Sequence, residues 1–132
     1  MTSILRTALP VIGAVAIAST VAAQDSYDAV YDVAIFERVA VGDVEITPIG
    51  IIEDSRCFDP DLCFRSDRLV VSTILHGYDG RLREIPLRLG ELTPVNGGAL
   101  LLTNAGTPPV RNGAIQLKRY SLDIEFVPGP LN

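Results

Sequence analysis

From Tyr120 to Phe126 every second position is apolar (Tyr120, Leu122, Ile124, Phe126) and the residues between them are polar (Ser121, Asp123, Glu125). A period of two sends successive side chains to opposite faces of a strand, so this stretch predicts a strand with one face on a core and the other in water. Ser66–His76 reads as a second strand, ending in Gly77-Tyr78-Asp79-Gly80, whose Asp-Gly pair supplies the positive φ that a tight hairpin demands. The return strand is Arg81–Leu89, with Ile85, Leu87 and Leu89 on one face. Its Pro86 has no N–H to give to a ladder, which predicts an edge position or a bulge.

Upstream, Tyr31–Glu37 and Val44–Glu53 read as strands joined through Gly42-Asp43. Val44 and Ile46 share one parity while Ile49 and Ile51 share the other, and a one-residue bulge near Pro48 returns both pairs to a common face. Asn96-Gly97-Gly98 opens the apolar run Ala99–Leu102, and residues 106–113, with Pro108-Pro109, form a loop before the last strand. Heptads, internal repeats and low-complexity tracts are absent. Six to seven short strands predict an all-β fold, a small antiparallel β-sandwich or partly open barrel, since a lone sheet would leave an apolar face wet.

The start of the chain follows a different pattern. Arg6 precedes the small, apolar run Ala8–Ala18, and Val21-Ala22-Ala23 offers small residues at the −3 and −1 positions of a cut before Gln24. This is the layout of a signal peptide over residues 1–23, leaving residues 24–132 as one domain. The competing reading, a membrane anchor, meets an uncharged run from Thr7 to Ala23 that is short of the roughly 20 residues a span needs. The predicted location is periplasmic or secreted, with no membrane span once the leader is removed. No Cys stands at the cut to carry a lipid.

The formal charge is −5, and residues 24–132 hold ten of the eleven basic groups and all sixteen acids. That balance excludes a basic, phosphate-seeking nucleic-acid surface. A single histidine, His76, two cysteines and no tryptophan exclude multi-histidine metal centres and dense disulfide scaffolds, and no cofactor is expected.

The most distinctive stretch is Ile51–Cys63, an apolar strand running into Glu53-Asp54-Ser55-Arg56-Cys57-Phe58-Asp59-Pro60-Asp61-Leu62-Cys63. Export places Cys57 and Cys63 in an oxidising space, where a disulfide is the expected state. Closing so short a loop removes unfolded-state entropy worth about 2 kcal/mol on the chain-entropy model. Asp54 and Ser55 can accept N–H bonds in the turn, and Arg56 can pair with Asp54, Asp59 or Asp61.

This stretch resembles a group of small exported bacterial β proteins, uncharacterised in function, that carry a Glu-Asp-Ser-Arg-Cys-Pro signature followed after four residues by a second Cys. Glu53–Cys57 and Cys63 match it, and the likeness extends more loosely to Leu69–His76, to Leu87-Arg88-Leu89-Gly90 and to Tyr120–Phe126. Phe58 stands in place of the family's Pro, and Phe64-Arg65-Ser66 replaces a Trp-x-Gly. The resemblance implies a secreted, mostly β domain of Gram-negative bacteria.

Sharper chemistry finds little support. A catalytic dithiol favours a two-residue spacer at a helix start, which Cys57 and Cys63 lack. Glu53, Asp54, Asp59, Asp61 and Asp67 crowd the loop as carboxylates that Ca²⁺ accepts, with Asp59 and Asp61 as weak ligand candidates. Arg56, Arg65 and Arg68 interleave with them and can neutralise them without an ion, and the EF-hand spacing is absent.

Hydrolysis would need His76 as base, yet Ser72, four residues away on the same strand face, sits about 13 Å off along the backbone. Neither Gly-x-Gly-x-x-Gly nor a phosphate loop occurs. Arg81, Arg83 and Arg88 read as the solvated face of an edge strand. The expectation is therefore an exported, non-enzymatic domain with a structural or protein-interaction role, contacting an envelope protein through Asp54, Arg56, Phe58, Asp59, Asp61, Leu62 and Phe64. The alternative is small-ligand or Ca²⁺ binding through the acidic cysteine loop.

Overall fold

The computed structural model describes residues 28–57, 59, 61, 67–108 and 116–129, together with Gly13. Among the described residues eight strands follow in chain order: β1 (Ala29–Val33), β2 (Val39–Val41), β3 (Val44–Asp54), β4 (Leu69–His76), β5 (Leu82–Arg88), β6 (Leu92–Val95), β7 (Gly98–Asn104) and β8 (Leu122–Pro128). They form two antiparallel four-stranded sheets, ordered β1-β8-β7-β6 and β2-β3-β4-β5. This is the expected all-β sandwich, and neither sheet closes into a barrel. Eight strands exceed the expected six to seven because β2 and β6 are three and four residues long, too short to show a period. The proposed leader, residues 1–23, lies outside the described residues except for Gly13.

The alternating pattern of β8 puts Leu122, Ile124 and Phe126 inward, where they meet Leu100 and Leu102 of β7 and, from the opposite sheet, Ile46 and Leu87. The bulge expected near Pro48 is present: the β3–β4 register slips between Pro48 and Gly50, and again between Ile51 and Glu53. Ile46 and Ile51 both contribute to the same core as a result.

Pro86 sits on β5, an edge strand, as its missing N–H requires. The bonds Gly77 N–H to Arg81 O and Leu89 N–H to Leu69 O fix the ladder phase, and Pro86 opposite Ser72 then falls at a position facing away from β4. Its carbonyl accepts the Thr93 hydroxyl instead, at 3.4 Å.

The expected strand Tyr31–Glu37 is corrected. β1 ends at Val33, and the chain crosses from one sheet to the other through a turn held by Phe36 N–H to Pro48 O at 2.7 Å and Ala34 N–H to the Glu37 carboxylate at 2.8 Å. Phe36 takes φ 72° in that turn, and Ile35 stays in the core. The hairpin partner of β3 is therefore β2, while β1 pairs with β8. Gly42, in the β2–β3 turn at φ 55°, lies so close to the Phe126 ring that an added Cβ would stand 2.1 Å from it. Ser66–His76 shortens to Leu69–His76, and Tyr120 precedes β8 after a 3-10 turn over Leu117–Arg119. Among the described residues no helix is long and apolar enough to cross a membrane.

Two substitutions test this core by urea unfolding. Leu122→Ala empties a fully buried site and should cost about 3 kcal/mol. Thr73 is fully buried and its hydroxyl has no hydrogen-bond partner among the described residues, so Thr73→Val should raise stability by about 1 kcal/mol; a loss of that size would show that the hydroxyl is satisfied.

Candidate functional site

The root of the cysteine loop is built by the last residues of β3. Asp54 lies opposite Leu69 of β4, a core residue, so the register turns its carboxylate inward rather than into solvent. Two residues later Arg56 doubles back on it: Nε donates to Asp54 Oδ1 and Nη2 to Oδ2, both at 2.9 Å, in a bidentate fork. The side chains of Arg56 and Asp54 are 6% and 1% exposed, so this is a buried ion pair, where an unmatched charge is expensive.

The connection between β7 and β8 of the opposite sheet supplies the remaining partners. Tyr120 donates its hydroxyl to Asp54 Oδ2 at 2.7 Å, and Gly106 offers its carbonyl to Arg56 Nη1 at 2.8 Å. The guanidinium carbon lies 6.0 Å from the centroid of the Tyr120 ring. One carboxylate thus ties the end of β3 to the connection before β8.

Electrostatics follow from the geometry. Burial, the largest single influence on Asp54, acts to raise its pKa. The hydrogen bonds from Arg56 and Tyr120 and the charge of Arg56 together outweigh it, holding the carboxyl below its ordinary value. Burial, then the adjoining Asp54 carboxylate, pushes the Tyr120 hydroxyl well above the usual tyrosine range.

Beyond Arg56 the outgoing and returning chains are stitched together. Ser55 N–H donates to Arg68 O at 2.8 Å, and Cys57 N–H to Asp67 Oδ1 at 3.1 Å. Asp59 Oδ1 accepts the Asp61 N–H at 3.0 Å, and both residues are exposed. Of the expected contact residues, Asp54 and Arg56 therefore face inward, whereas Asp59 and Asp61 face solvent. Phe58, Leu62, Cys63 and Phe64 lie outside the described residues. Among the described residues no three His, Cys, Asp or Glu side chains converge as a metal site.

A second polar group occupies the far end of the β3–β4 pair. His76 closes β4 opposite Glu45, and its Nε2 lies 2.8 Å from the Thr47 hydroxyl. Ser72 turns away to Glu84. A hydrogen bond from Arg38 holds the exposed Glu45 carboxyl below its usual range. An open groove of about 450 Å³ runs past Gly42, Asp43, Glu45, His76 and Tyr78, whose hydroxyl donates to Asp43 O at 2.6 Å. Arg81 pairs with Asp79 at the β4–β5 turn, and Arg83 and Arg88 are exposed on the edge strand.

Tyr120, Gly106 and Thr47 are the partners that sequence reasoning missed. For Tyr120 a signal existed: its alternating position placed a phenol on the core face, where a hydroxyl needs an acceptor. Gly106 acts through its backbone, and Thr47 meets His76 only through strand register. No protein family, curated protein or solved structure matches this chain.

Removing one member of the buried pair should cost more than removing the phenol. Arg56→Ala leaves Asp54 uncompensated and should lower stability by about 3 kcal/mol, against about 1 kcal/mol for Tyr120→Phe; equal losses would contradict the ion-pair account. Because the folded pKa of Asp54 is depressed, its contribution is complete above the unfolded carboxylate value, about pH 4, and fades as pH falls through the folded value. Tyr120 is raised, so its contribution is complete below about pH 10 and is lost as pH climbs through its folded value. Urea midpoints of wild type and Tyr120→Phe should accordingly converge at alkaline pH.

Proposed function

We propose that this chain is an exported, non-enzymatic β domain with a structural or protein-interaction role in the periplasm, presenting a loop closed by a Cys57–Cys63 disulfide. The observation that carries the reading is the buried Asp54–Arg56–Tyr120 cluster, which ties the root of that loop to the connection before β8. A base held in this way loses no further entropy when a partner engages the loop above it, and preorganisation of that kind favours binding. Cys57 is not a free thiol, and its N–H is fixed by Asp67, which agrees with a bridged loop. The signal-peptide layout of residues 1–23 supports export, and the likeness to small exported bacterial proteins points the same way.

A non-enzymatic role agrees with the surroundings of the lone histidine. The Ser72 hydroxyl is engaged by Glu84, and the hydroxyl beside His76 belongs to Thr47, itself held across the strand pair.

Two measurements test the reading. Thiol labelling of the purified protein should leave Cys57 and Cys63 unmodified until reductant is added, and labelling of both beforehand would refute the bridge. Crosslinking in the native envelope, read by mass spectrometry, should return a reproducible protein partner. A chain that crosslinks to nothing there would remove the interaction role.

A further inference from the structure

The outward face of the β1-β8-β7-β6 sheet departs from the usual arrangement of an antiparallel sandwich, in which outer positions are polar. Leu100 and Leu102 point into the core, so Leu101 between them points out, and the register sets Leu92 on one side of it and Glu125 on the other. The next outward row is Pro94, Ala99 and Val127. Leu92 and Val127 are 59% and 37% exposed. Five of the six positions in these adjoining rows are apolar, and the sixth is a half-buried carboxylate.

Charge on this sheet has one sign. The four strands contain Asp32, Asp123 and Glu125 and neither Lys nor Arg, whereas the opposite sheet carries Arg83 and Arg88. Among the described residues Glu125 has no ion-pair partner. Any cover laid over these rows must remove that carboxylate from water, and an uncompensated buried charge is costly.

This requirement selects the occupant. A second copy meeting the same face across a two-fold axis would bring two Glu125 carboxylates into one apolar seam without a cation. An anionic membrane surface would be repelled by the same group and by the net charge of −5. We infer that the outward face around Leu92, Leu101 and Glu125 is a docking surface for an apolar, cationic protein segment whose Lys or Arg pairs with Glu125. The inference rests on the protein-interaction role and assigns it a surface other than the cysteine loop.

The test uses a short synthetic peptide alternating leucine and lysine, titrated into the purified full-length protein by calorimetry. Saturable binding is expected, weakened about tenfold by Glu125→Gln and at least as much by Leu101→Glu. Leu92→Glu, at a well-exposed position, repeats the apolar test should Leu101→Glu fail to fold. Glu84→Gln on the opposite sheet should leave binding unchanged. Equal binding of a leucine–glutamate peptide, or equal affinity of wild type and Leu92→Glu, would overturn the inference. So would a concentration-dependent dimer in sedimentation that Leu92→Glu abolishes, which would make a second copy the occupant. Envelope crosslinking separates the two levels: partners retained by both wild type and Leu92→Glu refute this surface alone, whereas no partner for wild type refutes the interaction role itself.

Discussion

Closure of two apolar sheet faces over one shared core is the constraint on which the other features depend. Ile46 and Leu87 come from one sheet, Leu100, Leu102, Leu122 and Ile124 from the other, and all are removed from water. Each such side chain contributes on the order of 2 kcal/mol by leaving water, so the closed stack is the main source of stability. The irregularities serve that closure. The slips in β3 return Ile51 to the core side, and the turn at Phe36 carries the chain between sheets while keeping Val33 and Ile35 inside.

Within that apolar frame the Asp54–Arg56–Tyr120 cluster is a polar exception, made tolerable because each guanidinium nitrogen and both carboxylate oxygens are hydrogen-bonded. The Asp54 carboxylate receives the Arg56 fork and backbone N–H as well as the Tyr120 hydroxyl, while the third guanidinium nitrogen donates to Gly106 O. A buried pair of this sort adds less to stability than its Coulomb attraction implies, because both ions were solvated in the unfolded chain. Its larger effect is on geometry. The planar fork admits one orientation, so the chain leaving β3 toward Cys57 departs in a defined direction. The cluster thus links sheet closure to the path of the chain as it leaves β3: separating the sheets would strip the carboxylate of Tyr120 and leave a charge pair half dissolved.

The fold was legible wherever a strand was long enough to display its period. The alternation in Tyr120–Phe126 marked the inward residues correctly, Pro86 marked an edge, and the parity change around Pro48 marked a bulge. Illegible strands were short ones, Val39–Val41 and Leu92–Val95, whose existence depends on neighbours that supply hydrogen bonds and burial. Tyr31–Glu37 misled because Val33 and Ile35 share a parity and both end up buried, although Ile35 already lies in the turn after β1, beside the left-handed Phe36. At the loop, the sequence offered Arg56 three carboxylates within five residues, and nothing local ranked them. Asp54 is the partner because strand register had already turned it inward.

By itself the sequence determined the class of the fold, because side-chain alternation is a local consequence of extended backbone and needs no knowledge of what lies across the gap. It also determined the acidic balance, the single imidazole and the two sulfurs, which bound the chemistry this chain can perform. Only the tertiary structure decided which carboxylate Arg56 takes, that Tyr120 and Gly106 join the pair, and that the outer face of one sheet carries Leu92, Leu101 and Glu125 side by side. Those juxtapositions join residues dozens of positions apart. They are set by strand order and register, which arise from packing the whole core and leave no trace in the neighbourhood of any one residue.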